Sequence, residues 1–208
     1  MYTNQSQNKI DDWMFRGQVA PTLPATWYYG LIMATRGLSS AIRSAAVALA
    51  DTVLPAAPNG RIYKVTTAGT TGATEPVWPT TNGGTVTDGT AVWTEQTLAM
   101  MAGTFTEATY GAYARQAVAS SLTAMSGTQG AGTTVASSGT SGQISNNAPI
   151  AYPAPTTGTG YVFGWFSSDS LTAGVLWHFG ADTTPLAISA GGSAPTYATS
   201  AFVLIPTN

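Results

Sequence analysis

Apolar residues fall along the chain in short runs separated by clusters of Gly, Pro, Asn and Asp, a rhythm that predicts strands joined by turns. Trp27–Met33 is aromatic and aliphatic throughout, follows Pro21 and Pro24 and is bounded by Gly37, so it reads as a well-covered core strand. Runs 61–67, 89–95, 111–120, 161–167, 174–180, 185–189 and 200–206 are rich in Val, Ile, Tyr, Phe, Trp and Thr and read as further strands. In Tyr161–Trp165 the alternation puts Tyr161, Phe163 and Trp165 on one aromatic face, against Val162 and Gly164 on the other. Short strands without long helices between them predict an all-β fold, an antiparallel β-sandwich or jelly-roll-like domain.

Three segments depart from that rhythm. Ile10, Trp13 and Met14 stand at helical spacing, with polar cap candidates before them and Gly17 after, which predicts a short N-terminal helix over 7–16. Its apolar stripe docks on the chain's own sheet or on a neighbour. Leu38–Leu54 is Ala-rich, with Leu38, Ile42, Leu49 and Val53 near helical spacing, and is helix or strand until Pro55 ends it. Ser126–Asn147 is small and polar throughout, a loop or a thin sheet edge.

The region 44–96 reads as a small β module inserted into a discontinuous main domain, 1–43 and 97–208. Asn59-Gly60 and Asp88-Gly89 are turn dipeptides that each lead into a strand-like run, with Pro76 and Pro79 flanking Trp78 between them. So small a unit needs large rings to fill a core, and Tyr63, Trp78 and Trp93 are the candidates. The same rings could instead form a stacking platform for a sugar.

Composition then limits the function. Only 8% of the 208 residues are charged, against roughly 25% in ordinary soluble proteins, and the formal net charge is -2. Seven Lys and Arg residues are spread without a cluster, so neither nucleic acid nor an anionic membrane is an expected partner. There is no Cys, hence no disulfide and no thiolate chemistry. The polar start of the chain lacks the basic and apolar regions of a secretory signal, and no apolar run is long enough to span a bilayer.

Candidate chemistry is sparse. His178 is the sole histidine, set between Trp177 and Phe179, and a Ser-His-Asp arrangement with Asp182 lacks a Gly-x-Ser-x-Gly elbow. Asp11-Asp12 suits a helix N-terminus better than a catalytic dyad, whereas Glu75 and Glu107 could flank a cleft only if the fold brought them together. Gly130 and Gly132 lack the third glycine of a dinucleotide loop and the Lys of a phosphate loop. No catalytic residue, cofactor site or metal site is predicted. Arg115 is the basic residue expected to matter, in a structural ion pair or an intersubunit contact.

A resemblance adds to this. Ala50–Glu95, through Tyr63, the Gly69/Gly72 turn, Glu75-Pro76, Trp78-Pro79 and Asp88-Gly89 before Trp93, is similar to a small module that recurs in virion proteins of tailed bacteriophages. The flanking segments DDWMFRG, TWYYGLIMAT, TYGAYARQAV, YVFGWFSS and LWHFGADTTPLAISAGG resemble small phage proteins labelled tail fibre or head decoration. The resemblance implies a virion protein assembled in the host cytoplasm, with the module as an outward insert between Met33 and Tyr110. Its leading implication is a non-enzymatic decoration (cement) protein, a homotrimer bound to the major capsid protein, with Ile10, Trp13 and Met14 as a capsid-contact arm. The alternative is a tail-fibre adhesin that uses Tyr63, Trp78 and Trp93 to contact host surface glycan.

Overall fold

The structure, a computed structural model, describes residues 1–128, 133–136 and 143–204. In chain order its elements are α1 (Asn4–Arg16), β1 (Thr26–Ala34), a 3-10 turn (Ser39–Ile42), β2 (Ala46–Val47), β3 (Thr52–Val53), β4 (Tyr63–Thr67), β5 (Gly69–Thr70), β6 (Thr85–Asp88), β7 (Ala91–Glu95) and α2 (Thr97–Met101). They continue with β8 (Gln116–Ala119), β9 (Met125–Ser126), β10 (Ile144–Asn146), β11 (Ile150–Ala151), β12 (Thr159–Ser168), β13 (Leu176–Ser189), β14 (Thr196–Tyr197) and β15 (Val203–Leu204). Every named strand pair is antiparallel, and the fold is all-β with one short N-terminal helix, as the sequence predicts.

The central sheet has the order β13-β12-β1-β8. Along β1, Tyr29, Leu31 and Met33 join one core with Trp165, Ile188 and Phe202, while Ile32 and Ala34 join another with Phe163, Phe166 and Phe179. The first face is covered by the small sheets β15-β10-β9 and β11-β14, and the second by the chain around Leu54, Ile62 and Met100. Covering both faces explains why β1 carries no polar residue from Tyr29 to Ala34, where every position is buried. Truncating a fully buried side chain here, Leu31→Ala for instance, costs about 2–5 kcal/mol.

A second four-stranded sheet, β3-β4-β7-β6, surrounds its own core of Ile42, Val47, Val53, Tyr63, Val65, Ala91 and Trp93. It is stitched to the end of β1 through β3. Thr52 Oγ1 donates to Met33 O at 3.2 Å, Arg36 N to Thr52 O at 2.8 Å and Leu54 N to Gly37 O at 2.9 Å. The hairpin β6-β7 turns on Gly89-Thr90, with Asp88 paired to Ala91, so Asp88 is the last strand residue instead of a turn residue. Gly89 has φ 66°, which glycine adopts without penalty at the first central position of such a turn.

Several expectations change in detail. Leu38–Leu54 is not an α-helix but the 3-10 turn followed by β2 and β3. Asn59-Gly60 does not close a tight hairpin; it lies inside the connection 54–62, where Asn59 Oδ1 accepts from Arg61 N at 3.1 Å. Only Gln116–Ala119 of the run 111–120 is strand. Within Ser126–Asn147 the two ends join a thin sheet, Ser126 in its edge strand β9 and Ile144–Asn146 as its middle strand β10, and Gly130 and Gly132 lie outside the described residues.

The aromatic face expected of Tyr161, Phe163 and Trp165 is split. Val162 and Trp165 share the first core, whereas Phe163 and Phe166 share the second with Tyr161 packed beside them. The cause is a β-bulge: Val162 pairs with Met33 and Gly164 with Ile32, so Phe163 is an extra residue that reverses the alternation. On the other side, Val162 pairs with Leu186 and Gly164 with Ala181, so residues 182–185 of β13 stand opposite Phe163 alone. The two separate runs read at 174–180 and 185–189 are thus one strand with a wide bulge at Asp182–Pro185.

Candidate functional site

Three surfaces hold the residues that sequence reasoning selected, and a fourth feature, the bulge, adds residues it did not combine. On the second sheet, Tyr63 and Trp93 are fully buried and only Trp78 reaches the surface, half-buried. The rings form one stack: Tyr63 and Trp78 centroids are 4.4 Å apart, and Trp78 and Trp93 are 5.9 Å apart at 72°. Tyr63 donates its hydroxyl to Pro79 O at 2.8 Å and accepts from Asn59 Nδ2 at 2.9 Å. Two rings of the expected sugar platform are therefore enclosed as core, because a module this small has no other large side chains to fill it.

Trp78 is itself fixed. Its Nε1 donates to Glu75 Oε1 at 2.6 Å, and the same carboxylate accepts from Ala56 N at 2.8 Å and from Ser39 Oγ. Burial works against ionisation of Glu75, but the bonds from Ser39, Ala56 and Trp78 and the charge of Arg43 together hold it below its ordinary value. Glu75 is thus a tethered anion and not a free general acid.

The N-terminal helix begins earlier than its apolar pattern suggests because Thr3 caps it, accepting from Ser6 N at 3.3 Å; Gly17, at φ 66°, closes it in a left-handed C-cap. Its attachment is polar. Thr3 N donates to Trp177 O at 3.0 Å, Ser6 Oγ to Trp177 O at 2.7 Å, and Lys9 Nζ sits 5.0 Å from the Trp177 ring. Ile10 is half-buried, whereas Trp13 is 49% and Met14 58% exposed, with exposed Phe15, Val19 and Leu23 close in sequence. Ile10 and Trp13 line an apolar groove of about 510 Å³ with Trp27, Tyr29 and Trp177. The stripe is thus only partly docked on its own chain.

Arg115 is an internal ion pair. Its Nε and Nη2 donate to Glu107 Oε1 and Oε2, each at 2.8 Å, and Nη1 donates to Ser170 O at 2.9 Å and Ala173 O at 2.8 Å. Tyr113 adds its hydroxyl to Glu107 Oε1 at 2.9 Å and accepts from Leu31 N. With its side chain 8% exposed and this geometry bidentate, Arg115 ties the start of β8 to Glu107 and to the 170–173 turn.

The bulge opens a cavity of about 450 Å³ beside the first core. Leu31, Val162, Trp165, Asp182 and Tyr197 are among the residues that line it, and Tyr197 donates to Asp182 Oδ2 at 2.8 Å. Burial raises the Asp182 carboxyl to about 6, partly offset by the bond from Tyr197. Thr183 and Thr184 are exposed at its mouth, and Leu186 is 45% exposed. Sequence reading considered Asp182 only as a triad acid and passed over Tyr197; the local sign was the Asp-Thr-Thr-Pro interruption between two apolar runs.

No catalytic arrangement links these groups. His178 meets Ser167 Oγ at 2.8 Å through Nδ1, while the acid a triad would need, Asp182, is bonded to Tyr197. Burial, and then the charge of the terminal amine, lowers His178 to about 4, which leaves it neutral and a weak base at pH 7. Glu75 and Glu107 are held by separate networks, the first with Ser39, Ala56 and Trp78 and the second with Tyr113 and Arg115. Among the described residues, no three His, Asp or Glu side chains converge as a metal site, and no helix is long and apolar enough to cross a membrane.

A search of curated proteins finds no match to this chain. Residues 91–204, however, match the family described as podophage GP4 fiber I protein gp80. The match takes in β7 and the whole central sheet except β1, with the Asp182–Tyr197 cavity, and agrees with the phage resemblance carried by the flanking segments. A β-rich chain of virion character, matched over more than half its length, belongs to the podophage GP4 fiber I protein gp80 family of phage virion structural proteins.

Proposed function

We propose that this chain is a non-enzymatic fibre component of a podophage virion and that it contacts the host cell surface. The observation that carries this reading is the fibre-family match over 91–204. The distribution of charge supports it. Five ion pairs, Arg16–Asp12, Arg36–Asp51, Arg43–Asp88, Arg61–Glu95 and Arg115–Glu107, occupy most of the few charged side chains within the chain, leaving a surface of hydroxyls, amides and apolar groups. Such a surface makes short-range contacts to other polar, uncharged surfaces.

In this reading, the second sheet is an outward insert and the exposed row Trp13, Met14 and Phe15 attaches the chain to a neighbour, a further copy in a homotrimer or another virion protein. The same exposed row favours a second reading, decoration of the head by docking on the major capsid protein. Imaging intact virions with a gold-labelled antibody against the chain tests both. Label confined to the tail region supports the fibre reading, and label spread over the head replaces it with decoration.

A further inference from the structure

The cavity at the β13 bulge has a chemistry that neither the core nor the family description uses. Asp182 Oδ2 accepts from Tyr197, but no donor among the described residues engages Oδ1. The Tyr197 hydroxyl, once it has donated, still has lone pairs to accept with. Thr183 and Thr184, on the bulge and outside the paired ladder, add hydroxyls that both donate and accept, and Thr196, whose hydroxyl donates to Ala194 O at 3.2 Å, adds an acceptor. Leu186, Pro195 and Val203 add apolar lining.

We propose, resting on the fibre reading above, that this cavity binds an uncharged carbohydrate, with Asp182 and Tyr197 taking hydroxyl hydrogen bonds and Leu186 lying against the ring's C–H face. A pyranose offers both halves of that surface: a rim of hydroxyl donors and acceptors, and a flat apolar side. The cavity of about 450 Å³ lies within the range of roughly 300–1,000 Å³ usual for small-ligand sites. Among the described residues no Lys or Arg lines it, and the carboxylate would repel a phosphate or an acidic sugar, so the ligand is neutral. The bulge is the device that builds the site, since it leaves Asp182, Thr183 and Thr184 outside the ladder, where they line the cavity. Trp78 is a poorer candidate, with its Nε1 committed to Glu75 and its ring packed against Tyr63 and Trp93.

The test is calorimetric titration of the full chain with a panel of uncharged disaccharides built from hexoses, 6-deoxyhexoses and N-acetylhexosamines. At least one member binds, and the affinity falls tenfold or more in Asp182→Ala and in Thr184→Arg, which fills the mouth from an exposed position without touching the core. Trp78→Ala leaves it unchanged. The proposal is overturned if no member of the panel binds, if binding survives Thr184→Arg in a chain with an unaltered melting curve, or if only Trp78→Ala abolishes it. Fibre-located label with no sugar binding overturns the cavity proposal alone, whereas sugar binding by a chain found on the head supports the cavity and removes the fibre reading.

Discussion

Arg43 holds Asp88 by two parallel contacts, Nη1 to Oδ1 and Nη2 to Oδ2, each of 3.0 Å. The two residues are 45 positions apart, one just after the 3-10 turn and the other at the end of β6. Asp88 also accepts from Gly72 N at 2.8 Å, and Arg43 donates to Ser39 O at 2.8 Å and Thr74 O at 3.0 Å. One carboxylate thus gathers the hairpin turn, the exit of β5 and the chain before β2. Its side chain is 1% exposed, so loss of the partner cannot be made good by water. Asp88→Ala is expected to lower stability by about 3 kcal/mol, as for other broken buried pairs, and Asp88→Asn by less because an amide oxygen can still accept from Gly72. Urea unfolding of both variants measures this; equal and small losses would show that the pair does not hold the module.

The ring stack separates core from surface. Trp93→Ala empties the centre of the second sheet and should cost about 3–5 kcal/mol, whereas Trp78→Ala, at a half-buried ring, should cost about half as much. The indole Nε1 of Trp93 is buried without a hydrogen-bond partner, so Trp93→Phe removes an unsatisfied donor along with some volume. It should therefore retain most of the stability that Trp93→Ala loses. Tryptophan fluorescence followed through thermal unfolding ranks the three variants, and an inverted order would reject the packing account.

Two shifted groups oppose each other in acid. Asp182 titrates at about 6 in the fold against an ordinary 3.8, so the folded chain keeps a proton that the unfolded chain has lost, and its contribution is present at low pH and fades as pH rises through about 6. His178 titrates at about 4 against 6.5, so its contribution is present above 6.5 and is lost as pH falls toward 4. The two slopes largely cancel between pH 4 and 6. Asp182→Asn leaves the histidine slope alone, and stability should then climb by about 2–3 kcal/mol from pH 4 to 6.5. Denaturant midpoints at intervals across that range check the sign, and a flat profile in the variant would contradict it.

Gly164 is required by proximity. A Cβ placed there would lie 2.0 Å from Gly180 O and 2.9 Å from Ala181 Cα, backbone atoms that cannot swing away. Gly164→Ala should cost about 2–3 kcal/mol and loosen β12 from β13 beside the bulge. Gly17→Ala, where the added atom meets nothing, should cost only about 1 kcal/mol of left-handed backbone strain. Melting temperatures of the pair decide between crowding and backbone strain as the larger penalty.

The strand rhythm was legible because it is local: Trp27–Met33, Tyr63–Thr67 and Ala91–Glu95 carry their own β-branched and aromatic residues and turn signals. The N-terminal helix was legible for the same reason, apart from its start, which depends on a Thr3 cap rather than on apolar spacing. What escaped was relational. A carboxylate such as Asp88 or Glu95 looks like an ordinary surface residue until the fold places Arg43 or Arg61 against it. The facing of Phe163 and Trp165 turned on one extra residue in a bulge, which alternation alone cannot reveal. The cavity joins Asp182 to Tyr197 across strands that share no sequence signal, and only the Asp-Thr-Thr-Pro interruption marked one half of it.

That interruption also bears on how such a chain can diverge. Residues 182–185 take no part in the ladder, and β12 and β13 pair again on both sides of them. A substitution at the exposed Thr183 or Thr184, or a gain of one residue beside them, leaves the pairing of Leu186 and Ala181 and the Asp182–Tyr197 bond where they were. The cavity wall is thus the part of the central sheet that descendants can rewrite at least structural cost, with the same scaffold inherited beneath each new lining.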